Sequence, residues 1–213
     1  MKLNKSSLRL YAVTDRAWLG KQKLSEQVDM ALRAGATFLQ LREKNLDKEA
    51  FLQEAGEIKK VADQYKIPFV INDHPEIALA CGADGVHVGQ QDMEAGNVRA
   101  LIGENKILGV SVQTVSEALK AEKQGADYLG VGAVFSTSTK LDADKVSLAV
   151  LKEICAAVSI PVVAIGGIDS SNLPELAGKG LAGVAVVSAI FGADDILEAT
   201  ANLRRLADEM IGE

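Results

Sequence analysis

The chain has 213 residues, 48% of them hydrophobic and 24% charged, with a net charge of −6; this is enough chain for one sizeable core. The acidic balance excludes a broadly basic nucleic-acid-binding surface, although it leaves room for a local basic pocket. No apolar run approaches the roughly 18 residues that cross a bilayer, and the opening MKLNKSSLRL has basic residues with no apolar segment behind them, so no signal peptide is expected.

Short apolar segments alternate with helical patterns along the whole chain. The first predicted strand, 10–13 (LYAV), ends in Thr14-Asp15. The second, 38–42 (FLQLR), carries Gln40 and Arg42 and is followed by Glu43 and Lys44. Phe51, Ala55, Ile58 and Ala62 then recur at spacings of three and four, the stripe of an amphipathic helix. Strand three, 69–72 (FVIN), is entered through Ile67-Pro68 and ends in Asn72-Asp73. Strand four, 85–88 (GVHV), holds His87, which reads as a packed core histidine, and leads to Gln90-Gln91-Asp92. Strand five, 107–111 (ILGVS), ends on Ser111, and Thr114 with Glu117 forms a capping box for the next helix. Strand six, 128–132 (YLGVG), opens into Ser136-Thr-Ser-Thr-Lys140. Strand seven, 162–166 (VVAIG), runs into Gly166-Gly167, and strand eight, 183–187 (GVAVV), into Ser188. A long amphipathic helix from about Asp194 to Met210 closes the chain.

Several of these strands are unbroken apolar runs, as expected of parallel strands covered on both faces. Gly35, Gly82, Gly125 and Gly180 precede the even-numbered strands, each where a helix should stop and a strand begin. Eight such units in one chain predict an α/β fold, a single-domain (β/α)8 TIM barrel spanning residues 1–213. A doubly wound open sheet is the alternative. Cys81 and Cys155 stand in no metal-ligand spacing, which predicts reduced thiols in a cytoplasmic protein. His74 and His87 lie in unrelated contexts, so no histidine-rich metal site is expected.

A TIM barrel gathers its active site at the C-terminal ends of its strands. There the chain offers three cations, Arg42, Lys44 and Lys140, suited to a diphosphate. Asp73 and Asp92 beside such cations make sense if Mg2+ lies between them and substrate phosphate oxygens. Gly166-Gly167 with Val187-Ser188 suits a single phosphate held by backbone N–H groups. Bland alternatives exist for each element. Arg42 and Glu43 could pair on the rim, Asp92 could cap a helix, the two glycines could be a tight turn, and the lysines could be solvated.

These residues resemble the thiamine-phosphate synthase family. The resemblance runs through LYAVTD at 10–15, QLREK at 40–44, IND at 71–73, GADGVHVGQQDM at 82–93, GVS at 109–111, TSTK at 137–140, AIGGI at 164–168 and VVS at 186–188, in order. It implies an enzyme, a transferase of thiamine biosynthesis. Such an enzyme joins 4-amino-2-methyl-5-hydroxymethylpyrimidine diphosphate to 4-methyl-5-hydroxyethylthiazole phosphate, or its carboxylated form, releasing diphosphate. By the same resemblance Gln40, Arg42, Lys44 and Asn72 hold the pyrimidine diphosphate, and Asp73 and Asp92 bind Mg2+. Ser111 sits close to the pyrimidine and the leaving group. Thr137 and Thr139 contact the thiazole, Lys140 the diphosphate, and Gly167, Val187 and Ser188 the thiazole phosphate. Ser111, Lys140, Arg42 and Lys44 are the expected catalytic set. Its partners are small molecules, not nucleic acid or membrane, and a homo-oligomer is allowed. The stretch after Lys140 is acidic where some relatives carry another basic residue, and the loop Arg16 to Lys23 is not diagnostic. The rivals are a thiazole tautomerase-type isomerase, which would want a histidine where Ala133 stands, and a non-catalytic barrel that senses a thiamine precursor. A phosphosugar isomerase or aldolase would want an acid–base pair or a lysine inside the barrel, and no predicted strand holds a lysine.

Overall fold

Eight parallel strands close into a barrel in the computed structural model, which describes residues 3–20, 22–90, 92–136 and 145–212. In chain order they are β1 (Leu10–Val13), β2 (Phe38–Leu41), β3 (Phe69–Asn72), β4 (Gly85–Val88), β5 (Ile107–Val112), β6 (Tyr128–Val131), β7 (Val162–Ile165) and β8 (Gly183–Val186). Leu10 of β1 pairs with Val184 of β8, and Ala12 with Val186. That pairing rules out the open-sheet alternative, in which both strands would have been edges or lain inside a different order. The eight segments expected from the apolar runs are all strands.

Around the barrel run α1 (Leu24–Arg33), α2 (Lys48–Tyr65), α3 (Pro75–Cys81), α4 (Ala95–Ile102), α5 (Val115–Lys123), α6 (Leu148–Ala157), α7 (Ser188–Phe191) and α8 (Ile196–Ile211). The stripe Phe51, Ala55, Ile58 and Ala62 is the buried face of α2. Thr114 and Glu117 form the expected capping box of α5, and Gly82 ends α3 in the left-handed conformation, φ 72°. After β7 the outer layer is only a 3-10 turn, Leu173–Leu176. The local chemistry explains the shortfall: the Asp169 carboxylate accepts from the Ser171 and Asn172 amides, a turn that competes with helix, and Pro174 lies at the start of what remains. No helix among the described residues is long and apolar enough to cross a membrane.

Alternation along the strands builds two cores. Outward residues such as Leu39, Ile71, Val86, Leu108 and Leu129 meet the helices through Val28, Phe51, Ile58, Ile77 and Val98. Inward residues Tyr11, Phe38, Val70, Ile107, Tyr128, Val163 and Ala185 fill the barrel. Tyr11, Phe38 and Tyr128 stack edge-on, with centroids 4.6, 5.9 and 5.5 Å apart. Rings this large fit only because neighbours are absent. Gly109 lies between His87 of β4 and Tyr128 of β6 in the strand register. A Cβ there would stand 2.2 Å from Tyr128 Cζ and 2.5 Å from His87 Nδ1. Both rings are buried and have nowhere to go. Gly109→Ala should therefore destabilise the fold by about 3 kcal/mol, the upper end of overpacking costs. Urea unfolding measures this, and a loss under about 1 kcal/mol would mean the rings can shift.

Candidate active site

The C-terminal ends of the strands place the polar residues on one rim. Thr14, fully buried, follows β1, and its Oγ1 accepts from the Arg42 amide at 3.0 Å. This bond fixes the backbone of the first cation. The Arg42 side chain is 15% exposed, and its Nη1 lies 3.4 Å from Asp15 Oδ2. So long a contact neutralises the guanidinium loosely and leaves its other donors open among the described residues. Lys44 is exposed. Glu43 does not pair with Arg42.

Its partner is Arg16, in the 3-10 turn Arg16–Trp18 that follows β1. Arg16 Nε is 2.9 Å from Glu43 Oε1, and Arg16 Nη2 is 2.5 Å from Glu54 Oε1 on α2. One guanidinium thus serves two carboxylates and ties the loop after β1 to the loop that carries Arg42 and Lys44. Burial, with the Glu54 carboxyl beside it, pushes Glu43 up to about 7 against the pull of Arg16. A native carboxyl that keeps its proton longer than the unfolded one stabilises the fold below its ordinary range. That contribution is lost as pH rises through about 7. Glu43→Gln should therefore flatten the decline in stability between pH 5 and 8 by on the order of 2 kcal/mol. Denaturant melts across that range test it, and parallel curves for the two proteins would refute the assignment.

Asn72 ends β3, and its Nδ2 donates to Asp73 Oδ2 at 2.5 Å. Asp73 takes a positive φ of 62°, which Asp tolerates better than most residues and which turns its carboxyl from the strand. That carboxyl is within hydrogen-bond reach of Asp92. Burial and the neighbouring Asp92 carboxyl push Asp73 up to about 6. Asp92 Oδ2 accepts from the Gly89 amide at 2.7 Å; it does not cap α4, which begins at Ala95 after Glu94. The expected acid pair is therefore a pair in space.

Below the rim a hydrogen-bonded chain crosses the barrel. Gln40 Nε2 donates to the Tyr11 hydroxyl, which lies 2.8 Å from the Tyr128 hydroxyl. Tyr128 lies 2.9 Å from His87 Nδ1, and His87 Nε2 lies 2.8 Å from Ser111 Oγ. Gln90 Nε2 donates to the Ser111 carbonyl at 2.7 Å. His87 is buried, as the strand pattern predicts, but it is wired to Ser111 and not merely packed.

On the opposite side Gly166 and Gly167 take φ of 97° and 66°. A Cβ on Gly167 would stand 2.3 Å from the Ser136 carbonyl oxygen, so only glycine lets the loop after β6 cross here. Asn172 Nδ2 donates to the Gly167 carbonyl at 2.8 Å. Val187 precedes α7, and Ser188 is its exposed first residue, where helix amides lack partners within the helix.

Of the residues expected at the site, Gln40, Arg42, Lys44, Asn72, Asp73, Asp92, Ser111, Gly167, Val187 and Ser188 all stand at or just below this rim. Thr137, Thr139 and Lys140 lie outside the described residues. The sequence reading missed Tyr11, Tyr128, Arg16 and Glu54. Gly109 and Gly130, glycines inside strands, were the available signal for the first two.

The family model for thiamine monophosphate synthase matches residues 10–190. A thiamine-phosphate synthase of Clostridium tetani is 48% identical over 200 residues, 94% of this chain and 96% of that protein. One from Ruminiclostridium cellulolyticum is 51% identical over 193 residues, covering 91% and 92%. The solved structure of a thiamine phosphate pyrophosphorylase from Pyrococcus furiosus has a TM-score of 0.91 at 40% identity, covering 98% of this chain and 99% of that one.

Proposed function

We propose a working assignment of the site from one premise: the chain belongs to the thiamine monophosphate synthase family. As a thiamine-phosphate synthase it joins 4-amino-2-methyl-5-hydroxymethylpyrimidine diphosphate to 4-methyl-5-hydroxyethylthiazole phosphate or its carboxylated form. Thiamine monophosphate and diphosphate are the products, with CO2 also released when the thiazole is the carboxylated form. The observation that carries the assignment is the convergence, on one rim, of Arg42 and Lys44 with the facing carboxylates Asp73 and Asp92.

The bond that breaks joins the pyrimidine CH2 to the diphosphate oxygen, and its electron pair leaves with the diphosphate. The aminopyrimidine spreads the positive charge left on the CH2. The thiazole nitrogen then donates its lone pair to that carbon. No protein nucleophile is required. The protein's task is to hold the leaving group with Arg42, Lys44 and Lys140, and to keep water from the cation. Gln40 and Asn72 orient the pyrimidine end, and Ser111 lies by the leaving group. Thr137 and Thr139 contact the thiazole, while Gly167, Val187 and Ser188 hold its phosphate and set the distance of attack.

The acidic pair fits a hard divalent cation. Burial and the neighbouring Asp92 carboxyl raise the proton affinity of Asp73, as expected of an acidic pair with no cation beside it. Among the described residues no three His, Cys, Asp or Glu side chains group as a closed metal cage. Asp73 and Asp92 would hold Mg2+, a hard cation that commonly takes one or two carboxylates. When bound, Mg2+ supplies neutralising charge to the departing diphosphate. Cytoplasmic residence accords with the two free thiols.

The test is to mix the protein with both substrates and Mg2+ and follow diphosphate release and thiamine phosphate formation together, with an EDTA control. Product is expected only with both substrates and metal. No product from folded protein that binds the thiazole phosphate would favour the isomerase or sensor reading.

A further inference from the structure

We infer that the buried chain Gln40–Tyr11–Tyr128–His87–Ser111 has a fixed direction, which makes Ser111 a hydrogen-bond donor toward the substrate and makes His87, Tyr128 and Tyr11 its positioning residues. The inference rests on the placement of Ser111 beside the leaving group and adds the state in which its hydroxyl is held.

The direction follows from counting hydrogens. An amide nitrogen can only donate, so the Tyr11 oxygen accepts from Gln40 Nε2. The single Tyr11 hydrogen then has one acceptor among the described residues, the Tyr128 oxygen at 2.8 Å. Tyr128, having accepted, gives its own hydrogen to His87 Nδ1 at 2.9 Å. Nδ1 is therefore bare, and the neutral ring carries its proton on Nε2. That proton goes to Ser111 Oγ at 2.8 Å. One Ser111 lone pair is thereby occupied, and the hydroxyl hydrogen is left to point at a ligand. Burial pushes both phenols well above their ordinary range, so each keeps the hydrogen this chain requires.

Running the chain backwards is costly. If Nδ1 carried a proton, Tyr128 would have to donate to Tyr11, whose oxygen already accepts from Gln40. With Gln40 presenting Nε2 and not Oε1 to Tyr11, as it does here, the Tyr11 hydrogen would then be buried without an acceptor among the described residues. The strands also show that room was made for the rings. A Cβ on Gly109 would collide with Tyr128 and His87, and one on Gly130 would lie 3.2 Å from His87 Cε1 and 4.0 Å from Ser111 Oγ. Glycine inside a strand weakens it. Here two adjacent strands accept that cost on the two flanks of the same imidazole.

A donor at this place suits the chemistry. With one lone pair committed to His87, the Ser111 oxygen is a poorer base and a poorer nucleophile toward the cation. Its hydroxyl can follow the negative charge that grows on the departing oxygen, at no cost in reorganisation.

The chain has two histidines, so the ring state can be read directly. Long-range 1H–15N spectra of the free, labelled protein, assigned with His74→Gln, should show His87 protonated on Nε2 and bare on Nδ1. A proton on Nδ1, alone or with Nε2, overturns the direction while leaving the assignment of the reaction untouched. The kinetic arm is a cycle of Tyr128→Phe and Ser111→Ala. Tyr128→Phe keeps the ring and should lower kcat on the order of tenfold with the KM for thiazole phosphate unchanged, and should mix the His87 tautomers. In the Ser111→Ala background the same change should cost nothing further. Equal losses in both backgrounds would make Tyr128 a packing residue and overturn its role. Unchanged turnover of Ser111→Ala would instead remove Ser111 from the proposed site, whatever the tautomer.

Discussion

Asp92→Asn lowers metal-supported turnover by at least about a hundredfold while the unfolding curve stays close to that of the wild type. The magnitude is bounded from below: losing even a group that only orients a metal ligand costs about 10–100-fold, and Asp92 is placed as a ligand itself. The structure says why the fold should survive. Asp92 is exposed, caps no helix, and accepts from the Gly89 amide, a bond that an Asn side-chain oxygen can still accept, as it can a bond from a protonated Asp73. The substitution therefore removes a charge and little else. A second readout is independent of turnover. Without its anionic neighbour Asp73 should lose part of the push that takes it up to about 6. Calorimetric Mg2+ titration in the presence of diphosphate should weaken in step with turnover. Wild-type-like turnover would take Asp92 out of the metal site.

Arg42→Ala is expected to reduce kcat/KM for the pyrimidine diphosphate by about 10²–10³-fold, the range seen when one preorganised donor to a developing anion is lost. Arg42→Lys should recover only part of that, because an ammonium restores charge without the two-pronged geometry. The expectation rests on how Arg42 is held. Its amide is pinned to buried Thr14, and its guanidinium touches Asp15 only at 3.4 Å. A closer pairing would have to be broken by the substrate. Lys44 is exposed and unconstrained, so Lys44→Ala should cost less than Arg42→Ala. Equal losses at the two positions would show that charge alone matters there and would sink the geometric argument.

Strands and site were legible to different depths. Apolar runs such as LYAV and FVIN could be placed within a residue or two because a strand covered on both faces has no polar partner residues to blur it. The missing helix after β7 was readable in principle from Asp169, Asn172 and Pro174, yet the repeat of units hid it. Arg42, Asp73 and Asp92 announced themselves by sitting where strands end. Tyr11, Tyr128 and His87 did not, because an aromatic or a histidine inside an apolar run looks the same whether it is packed or wired.

The order of strands, their polar ends and the family motifs are properties of neighbours along the chain, and the sequence alone determined them. Whether Glu43 meets Arg42 or Arg16, whether Asp73 faces Asp92, and which way five side chains on β1, β2, β4, β5 and β6 hand on a hydrogen were decided only by closure of the barrel. The physical reason is range. Hydrophobic period is written within a strand, but a hydrogen bond of 2.8 Å between residues 117 apart depends on strand register, and register is settled by the whole ring at once.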